Sequence, residues 1–417
     1  MNKTGSDTHT ITPTTLTYGG EALGRLPDGR AVFVPFALPG ETVRIRLVEE
    51  KRNFARGELV EVLDPSPQRI EPVCPHFTTC GGCHYQHLPY EAQLAAKQDI
   101  LRDQLERIGK LHDIAIQPTV PSPQPLNYRN HVQFHLAQDG RLGYHKSRSD
   151  EVLPILECHL PEEPLNILWP QLDFEAIPGL DRIGLRMGSE DDIQLILESD
   201  DPQPPQIYVE DLPISVIHLS PYGSLVLAGS DCLIVDISGY RFQVSAGSFF
   251  QVNTAAAELL AEYLLEELAK FHSVDQTTTI TDVYCGVGLF SAFLAPHVGR
   301  LVGIESNPSA AEDFIVNLDA YSNVELYEAP ANQVLPQVEV PQDVMIVDPP
   351  RSGLDRQTMD AILGLEPKVL VYISCDPATL ARDAKRLTMG GFLLKQITPF
   401  DLFPQTYHIE SISFWTR

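Results

Sequence analysis

Positive charge is what this sequence has least of. Across 417 residues, 30 Lys and Arg face 56 Asp and Glu, a formal net charge of −26. Taken whole, that balance speaks against a nucleic-acid partner. Long apolar runs are also missing. None approaches the ~20 residues that span a bilayer, so no membrane role is expected. The opening, MNKTGSDTHTITPTT, lacks the apolar centre of a signal peptide and predicts a cytoplasmic protein. No internal repeat is present. Seven cysteines (Cys74, Cys80, Cys83, Cys158, Cys232, Cys285 and Cys375) are an odd number. In a cytosolic chain this favours metal or catalytic use over a disulfide framework. The remaining composition, 43% hydrophobic and 21% charged, is that of a soluble globular protein. The length predicts two or three domains.

The charge is unevenly placed. From Asp150 to Asp236 there are 18 acidic residues against two arginines, a net of −16. From Leu126 to Ser149, Arg129, Arg141, Lys146 and Arg148 stand against Asp139 alone, a net of +3. A local basic face is therefore open to the chain. Tyr128, Phe134 and Tyr144 are interleaved with those cations, a mixture that suits unstacked bases and phosphates. It equally suits a plain basic hairpin. An RNA-binding face there would need the acidic stretch to point away from the RNA.

Three stretches differ in pattern. Residues 10–67 alternate apolar and polar between Gly and Pro turns; Val43, Ile45 and Leu47 alternate with Arg44, Arg46 and Val48. Short strands of this kind predict a small β-barrel. Lys51, Arg52, Asn53, Phe54 and Arg56 would suit RNA on one face, or simply form a solvated hairpin loop. In YEAQLAAKQDILRDQLERIGK, Leu94, Ile100, Leu101, Leu105 and Ile108 fall near one stripe and predict a packing helix over 90–110. Residues 127–247 read as a second, mostly β region. From EYLLEELAKF onward, strand and helix alternate, the sign of a parallel doubly wound sheet.

Within that last region, TTTITDVYCGVGLFS is an apolar strand ending in Asp282, followed by Gly286-x-Gly288 and a helix. Seventeen residues after Gly288 the strand RLVGIE ends in Glu305. Glycines at a first strand-to-helix turn admit a ligand to the backbone, and an acidic residue ending the second strand can bind both ribose hydroxyls. Two features favour S-adenosylmethionine over NAD. The glycine turn lies past the middle of the chain. An apolar strand, DVMIVDPPRSG, then ends in Asp348-Pro349-Pro350, and Asp-Pro-Pro at that strand end recurs in methyltransferases acting on bases.

KVLVYISCDPATLARD places Cys375 where the fifth strand ends and a loop begins. Uracil C5 is a poor nucleophile. A thiolate added at C6 makes C5 enolate-like and able to take a methyl group; a base must then remove the C5 proton. Cys375 lies at the same sheet edge as Glu305 and Asp348. Glu410, in DLFPQTYHIESISFW, interrupts an otherwise apolar strand. A carboxylate there is costly unless it has a role, and burial would raise its pKa, as suits a base. His408 is the rival base. A solvent-facing position in an edge strand is the plain alternative for both. Cys285 and Cys232 read as packing residues.

GSFFQVN, DVYCGVG, GIE, DPPRSG, YISCDPATLARD and FPQTYHIE resemble, in order, the motifs of the RNA uracil-5-methyltransferases, close to the 23S ribosomal RNA type. The likeness runs over nearly the whole chain. It implies an α/β Rossmann-like S-adenosylmethionine-dependent methyltransferase domain at 249–417. It also implies a small β-barrel of TRAM/OB type at 8–67 that binds RNA, and a central, mostly β iron–sulfur domain at 68–248. It implies Cys375 as nucleophile and Glu410 as base, with Gln251, Tyr284, Glu305 and Asp348 contacting S-adenosylmethionine. The 90–110 helix should pack on the catalytic domain. Leu289 stands where the family often has a polar residue after CGxG, which puts one cofactor contact in doubt.

Cys74, Cys80, Cys83 and the distant Cys158 suit zinc or an iron–sulfur cluster, three close thiols plus one remote being nearer iron–sulfur practice. The resemblance implies a 4Fe-4S cluster. It favours 23S ribosomal RNA as partner, with a tRNA T-loop uridine as the alternative and no obligate protein partner. An RNA cytosine-5-methyltransferase ranks below, because Asp-Pro-Pro occupies the place of the Pro-Cys that chemistry employs. Arg351 in place of an aromatic residue, together with Cys375, speaks against an amino-group methyltransferase, and a non-catalytic RNA-binding assembly factor is the alternative from a different class.

Overall fold

The computed structural model describes residues 8–172, 174, 179–190, 192–207, 212–338 and 343–417. The first seven residues of the polar opening, and residues 173, 175–178, 191 and 208–211 of the acidic stretch, lie outside the described residues.

The chain begins with six strands, β1 (Thr8–Ile11), β2 (Thr15–Leu16), β3 (Glu21–Arg25), β4 (Ala31–Pro35), β5 (Thr42–Glu50) and β6 (Phe54–Asp64), in the order β1-β5-β6-β4-β3-β2. Alternation works here as expected. Val32, Val34, Val43, Ile45 and Ala55 close a small core with Ile11, while Arg44 and Arg46 face outward and pair with Glu61 and Glu58.

Helix α1 (Tyr90–Gln104) continues through a π turn at Leu105–Gly109. Leu101 and Leu105 enter the same hydrophobic cluster as Leu370, Tyr372 and Leu380 near the C-terminus. The helix therefore docks on the last part of the fold. Its buried residues include Gln93, Lys97 and Gln104, polar groups that the apolar stripe does not predict.

The central region is a seven-stranded sheet of β7 (His131–Leu136), β8 (Leu142–His145), β9 (Val152–Pro154), β10 (Leu180–Met187), β11 (Ile193–Ser199), β12 (Ile214–Ser220) and β13 (Gly223–Ala228). The short helix α2 (Glu163–Leu168) follows β9. One expectation fails here: Tyr128 and Phe134 are buried, and Tyr144 stacks on Phe134 with ring centroids 5.1 Å apart. These rings serve a core and cannot stack on bases. The cations around them are engaged as well: Arg141 pairs with Asp139, Lys146 with Glu151 and Arg148 with Glu21.

The hairpin β14 (Cys232–Ile237) and β15 (Tyr240–Ser245) turns its apolar side, Val235, Ile237, Phe242 and Val244, into the core of the C-terminal domain. That domain continues with α3 (Thr254–Phe271), β16 (Thr279–Val283), α4 (Leu289–Leu294), β17 (Arg300–Glu305), α5 (Pro308–Asn317), β18 (Val324–Glu328), α6 (Ala331–Val334), β19 (Val344–Val347), α7 (Arg356–Leu365), β20 (Val369–Ser374), α8 (Pro377–Met389), β21 (Leu393–Phe400) and β22 (Glu410–Thr416). The sheet order is β18-β17-β16-β19-β20-β22-β21. β16 to β20 are parallel, but β22 runs antiparallel to both β20 and β21. The sheet is thus mixed rather than wholly parallel. The last connection, nine residues between β21 and β22, holds no helix to carry the chain back across the sheet.

Candidate active site

At the first strand-to-helix turn, Tyr284, Gly286 and Gly288 all have positive φ, at 67°, 55° and 94°. A Cβ on Gly288 would lie 2.4 Å from Leu318 and 3.0 Å from Phe314, so glycine is required for packing as well as for the turn. Glu305 ends β17 and accepts from Gly286 N at 3.0 Å, and from Ser306 N and Asn307 N at 2.7 Å each. Tyr284 closes the turn by donating its backbone N–H to Ile304 O at 2.8 Å. Gln251 sits in the loop before α3, its carbonyl accepting from Asn130 Nδ2 at 3.1 Å. Leu289 opens α4 and is buried in the core, so it offers no polar group to a ligand.

A row of carboxylates runs along this edge. Asp282 is buried and accepts from Ser291 Oγ at 2.6 Å through one oxygen, while the other, Oδ1, has no partner. Burial, then the Glu305 charge, pushes Asp282 up to about 6. Burial, then Asp282, pushes Asp348 up to about 7. Burial, then Asp348, raises Glu410 well above the usual carboxylate range, with Arg351 pulling the other way. Like charges this close disfavour joint ionisation, and a cation among them would relieve all of them. S-adenosylmethionine carries such a cation, its sulfonium, together with ribose hydroxyls suited to Glu305. The donor set fits it.

Cys375 and Glu410 meet by strand register. Ser374 pairs with Ser411 as the last pair of the β20–β22 ladder; Cys375 follows Ser374 and Glu410 precedes Ser411, so both stand at the same end of that ladder, near enough for the Glu410 charge to act on the thiol. Cys375 is half-buried. Burial first, then Glu410 and Asp348, push its thiol up to about 12, against the pull of Arg351. Glu410 is buried and begins β22, which lies between two strands. It is therefore neither an interruption of a strand nor solvent-facing at a sheet edge. His408 is half-buried. Burial, then Arg351, push it down to about 3, which makes it a feeble base.

Cys74, Cys80, Cys83 and Cys158 line one cavity of about 280 Å³ together with Arg129 and Tyr144. Burial pushes Cys83 up to about 12 and Cys158 up to about 11, and the other cavity thiols add to both. Gly82 N donates to Cys80 Sγ at 3.4 Å and Gln86 Nε2 to Cys83 Sγ at 3.3 Å. Among the described residues, no three or more His, Cys, Asp or Glu form a ligand set for a metal ion. The four thiols line the same cavity, and the iron–sulfur expectation gains no metal group from the structure.

Two partners of this site stand outside the sequence expectations. Asp282 is legible as a strand-end carboxylate, but nothing in the strand itself marks it as a charged neighbour of Asp348. Tyr18 of the barrel, whose phenol donates to Asp376 Oδ2 at 2.7 Å, leaves no local signal, since the two are 358 positions apart.

Fold and edge together define an S-adenosylmethionine-dependent methyltransferase. Residues 228–417 match the family model described as tRNA (Uracil-5-)-methyltransferase, and residues 7–60 match the TRAM domain. The chain is 38% identical to an uncharacterized RNA methyltransferase of Aquifex aeolicus over 97% of each chain. It is 36% identical to one of Thermosynechococcus vestitus over 96% of each. In fold it resembles the Pyrococcus abyssi tRNA (uracil-54, C5)-methyltransferase in complex with S-adenosyl-L-homocysteine, with a TM-score of 0.72 over 97% of this chain and 100% of that one, at 23% identity. The chain belongs to the RNA (uracil-5-)-methyltransferase family and carries an N-terminal TRAM domain. No helix among the described residues is long and apolar enough to cross a membrane.

Proposed function

We propose that the protein methylates C5 of one uridine in 23S ribosomal RNA through a covalent adduct between Cys375 and uracil C6. The observation that carries this reading is that Cys375 and Glu410 flank the last pair of the β20–β22 ladder, with the charges of Glu410 and Asp348 both acting on the Cys375 thiol. S-adenosylmethionine supplies an electrophilic methyl group on a positive sulfur. Gln251, Tyr284, Glu305 and Asp348 are the residues assigned to hold it, with Asp282 behind them. Positive charge beside Asp348 lowers the cost of ionising both Glu410 and the Cys375 thiol, which then sheds its proton to solvent. The thiolate adds to C6, the C5=C6 electrons form the bond from C5 to the methyl carbon, and the methyl–sulfur bond breaks with its electron pair left on the now neutral thioether sulfur. The Glu410 carboxylate removes the C5 proton; those electrons restore C5=C6, and the C6–S bond breaks to return the thiolate. The target uridine must leave its stack to reach this edge.

The proposed division is a barrel over 8–67, a central region over 68–248 and a catalytic domain over 249–417, with the hairpin β14–β15 and helix α1 packing against the catalytic domain from outside those last bounds. The protein acts in the cytoplasm. The four cavity thiols are assigned to a 4Fe-4S cluster. Four thiols lining one cavity are the ligand number such a cluster takes, and N–H donors to the sulfurs are the kind of contact that tunes it. Its contribution here is to tie Cys158 to the 74–83 segment.

The barrel and the four cysteines favour the ribosomal substrate within the family. A second reading, a tRNA uridine, is favoured by the activity of the Pyrococcus abyssi neighbour. Methyl transfer from labelled S-adenosylmethionine to separate 23S ribosomal RNA and tRNA transcripts, with nucleoside analysis, decides between them. 5-Methyluridine only in tRNA would overturn the ribosomal assignment. Its absence from both would overturn the reaction.

A further inference from the structure

Glu410 is the first residue of β22, and Phe400, paired with it, is the last of β21. Residues 401–409 join the two, so the course of this loop sets where Glu410 stands. Nearly every contact that fixes its first half comes from far earlier in the chain. Lys97 Nζ lies 2.5 Å from Asp401 Oδ1, with both side chains fully buried, and also donates to Phe403 O at 3.1 Å. Gln93 and Gln405 form a reciprocal pair: Gln93 Nε2 donates to Gln405 Oε1 at 3.0 Å, and Gln405 N donates to Gln93 Oε1 at 3.1 Å. His84 N and Tyr85 N both donate to Gln405 O, at 2.8 and 3.0 Å. Tyr128 Oη donates to Pro404 O at 3.1 Å.

We propose that Gln93 and Lys97, one turn apart on α1, are positioning residues for the base Glu410. They clamp Asp401–Gln405 and thereby hold the loop that delivers it. The inference rests on the assignment of Glu410 as base. A buried ion pair is an expensive way to hold two elements together, since an apolar pair of similar volume often stabilises as well or better. What the ion pair and the amide pair add is direction. Each accepts only one relative placement of helix and loop, and proton transfer demands placement within a fraction of an ångström. Neither residue lies in the 249–417 segment, so that segment by itself would carry Cys375 and Glu410 without the clamp. Cys83 directly precedes His84, so the cysteine cavity and the loop share a boundary through two backbone hydrogen bonds.

The test uses the full chain, RNA transcripts tritiated at uridine C5, and the variants Gln93→Leu, Lys97→Met and Lys97→Met/Asp401→Leu. Methyl transfer and tritium release are followed separately, with denaturing gels for RNA-linked protein. The double variant removes both charges at once, so no lone buried ion is left to unfold it, and Gln93→Leu removes no charge at all. The expected result is that tritium release slows about 10- to 100-fold more than methyl transfer, that methylated RNA accumulates linked to the protein, and that affinity for S-adenosylhomocysteine is unchanged. Glu410→Gln is the reference for that phenotype. Equal slowing of both steps, or slowing of neither, in Gln93→Leu and the double variant would overturn the clamp while leaving the reading of Glu410 intact. If Glu410→Gln forms no adduct and turns over normally, Glu410 is not the base, and the clamp falls with it.

Discussion

Tyr18, in the N-terminal barrel, donates a 2.7 Å hydrogen bond to Asp376, the residue after Cys375 in the chain. The same carboxylate, through its other oxygen, caps α8 by accepting from Ala378 N and Thr379 N. One aspartate therefore fixes the end of the Cys375 loop, the start of a helix and the seat of the barrel. Tyr18 also meets the Tyr407 ring edge-on at 5.6 Å, so the barrel touches the loops of both Cys375 and Glu410.

Tyr18→Phe removes one hydrogen bond to a carboxylate, a contribution of about 1.5–3 kcal/mol. The expected outcome is a several-fold slower formation of the RNA–protein adduct with cofactor affinity unchanged. Single-turnover kinetics with Tyr18→Phe would read it directly; an unchanged adduct rate would show that the barrel is not coupled to Cys375 through Asp376.

Cys375→Ala is expected to abolish methyl transfer and adduct together while still binding S-adenosylhomocysteine, because the carboxylate row is intact. Isothermal titration beside the activity assay checks both halves. Residual 5-methyluridine at more than about a thousandth of the wild-type rate would argue against nucleophilic catalysis.

Burial first, then neighbouring carboxylates, push Asp282 up to about 6 and Asp348 up to about 7, from an ordinary value of 3.8. Raised values mean that the folded state holds protons the unfolded chain would release. Their stabilising contribution is full below about pH 4 and is lost as pH rises through 6 to 7. Thermal melts of the ligand-free protein between about pH 5 and pH 8 should therefore show Asp348→Asn gaining on wild type as pH increases. A constant difference would show that Asp348 does not change protonation in the fold between those pH values.

By the same linkage, S-adenosylmethionine should bind more tightly as pH rises through about 7, because its positive sulfur favours the ionised row. S-adenosylhomocysteine, which has a neutral sulfur, should show a shallower dependence. Parallel pH profiles for the two ligands would remove the carboxylate row from cofactor recognition.

Protein purified without oxygen should contain iron, and Cys83→Ser should lose it along with the broad visible absorption of an iron–sulfur cluster. Metal analysis showing zinc, or no metal, would overturn the cluster assignment.

The positions of Glu305, Asp348 and Cys375 were legible because each sits at the end of an apolar run, and in a parallel sheet the ends of successive strands share one edge. Chain order alone brings them together. The alternation of the barrel was legible for a similar reason: period two and burial on one face are both local. Gln93 and Lys97 stayed hidden because an apolar stripe reveals a helix and passes over polar residues buried on the same face. Tyr128 and Phe134 misled in the opposite direction. Aromatic residues among cations look alike whether they face RNA or a core, and only the opposing strands determine which. The mixed end of the sheet, the meeting of Cys375 with Glu410, the reach of Tyr18 to Asp376 and the clamp of α1 on Asp401 are contacts across tens to hundreds of residues. The sequence by itself determined which groups end which strands. Which of those groups face one another, and at what cost in charge, depended on how β22 inserted beside β20 and how the N-terminal half closed over it. Burial and Coulomb interaction depend on distance through space, and distance along the chain carries almost no information about that once the separation exceeds a strand or a helix.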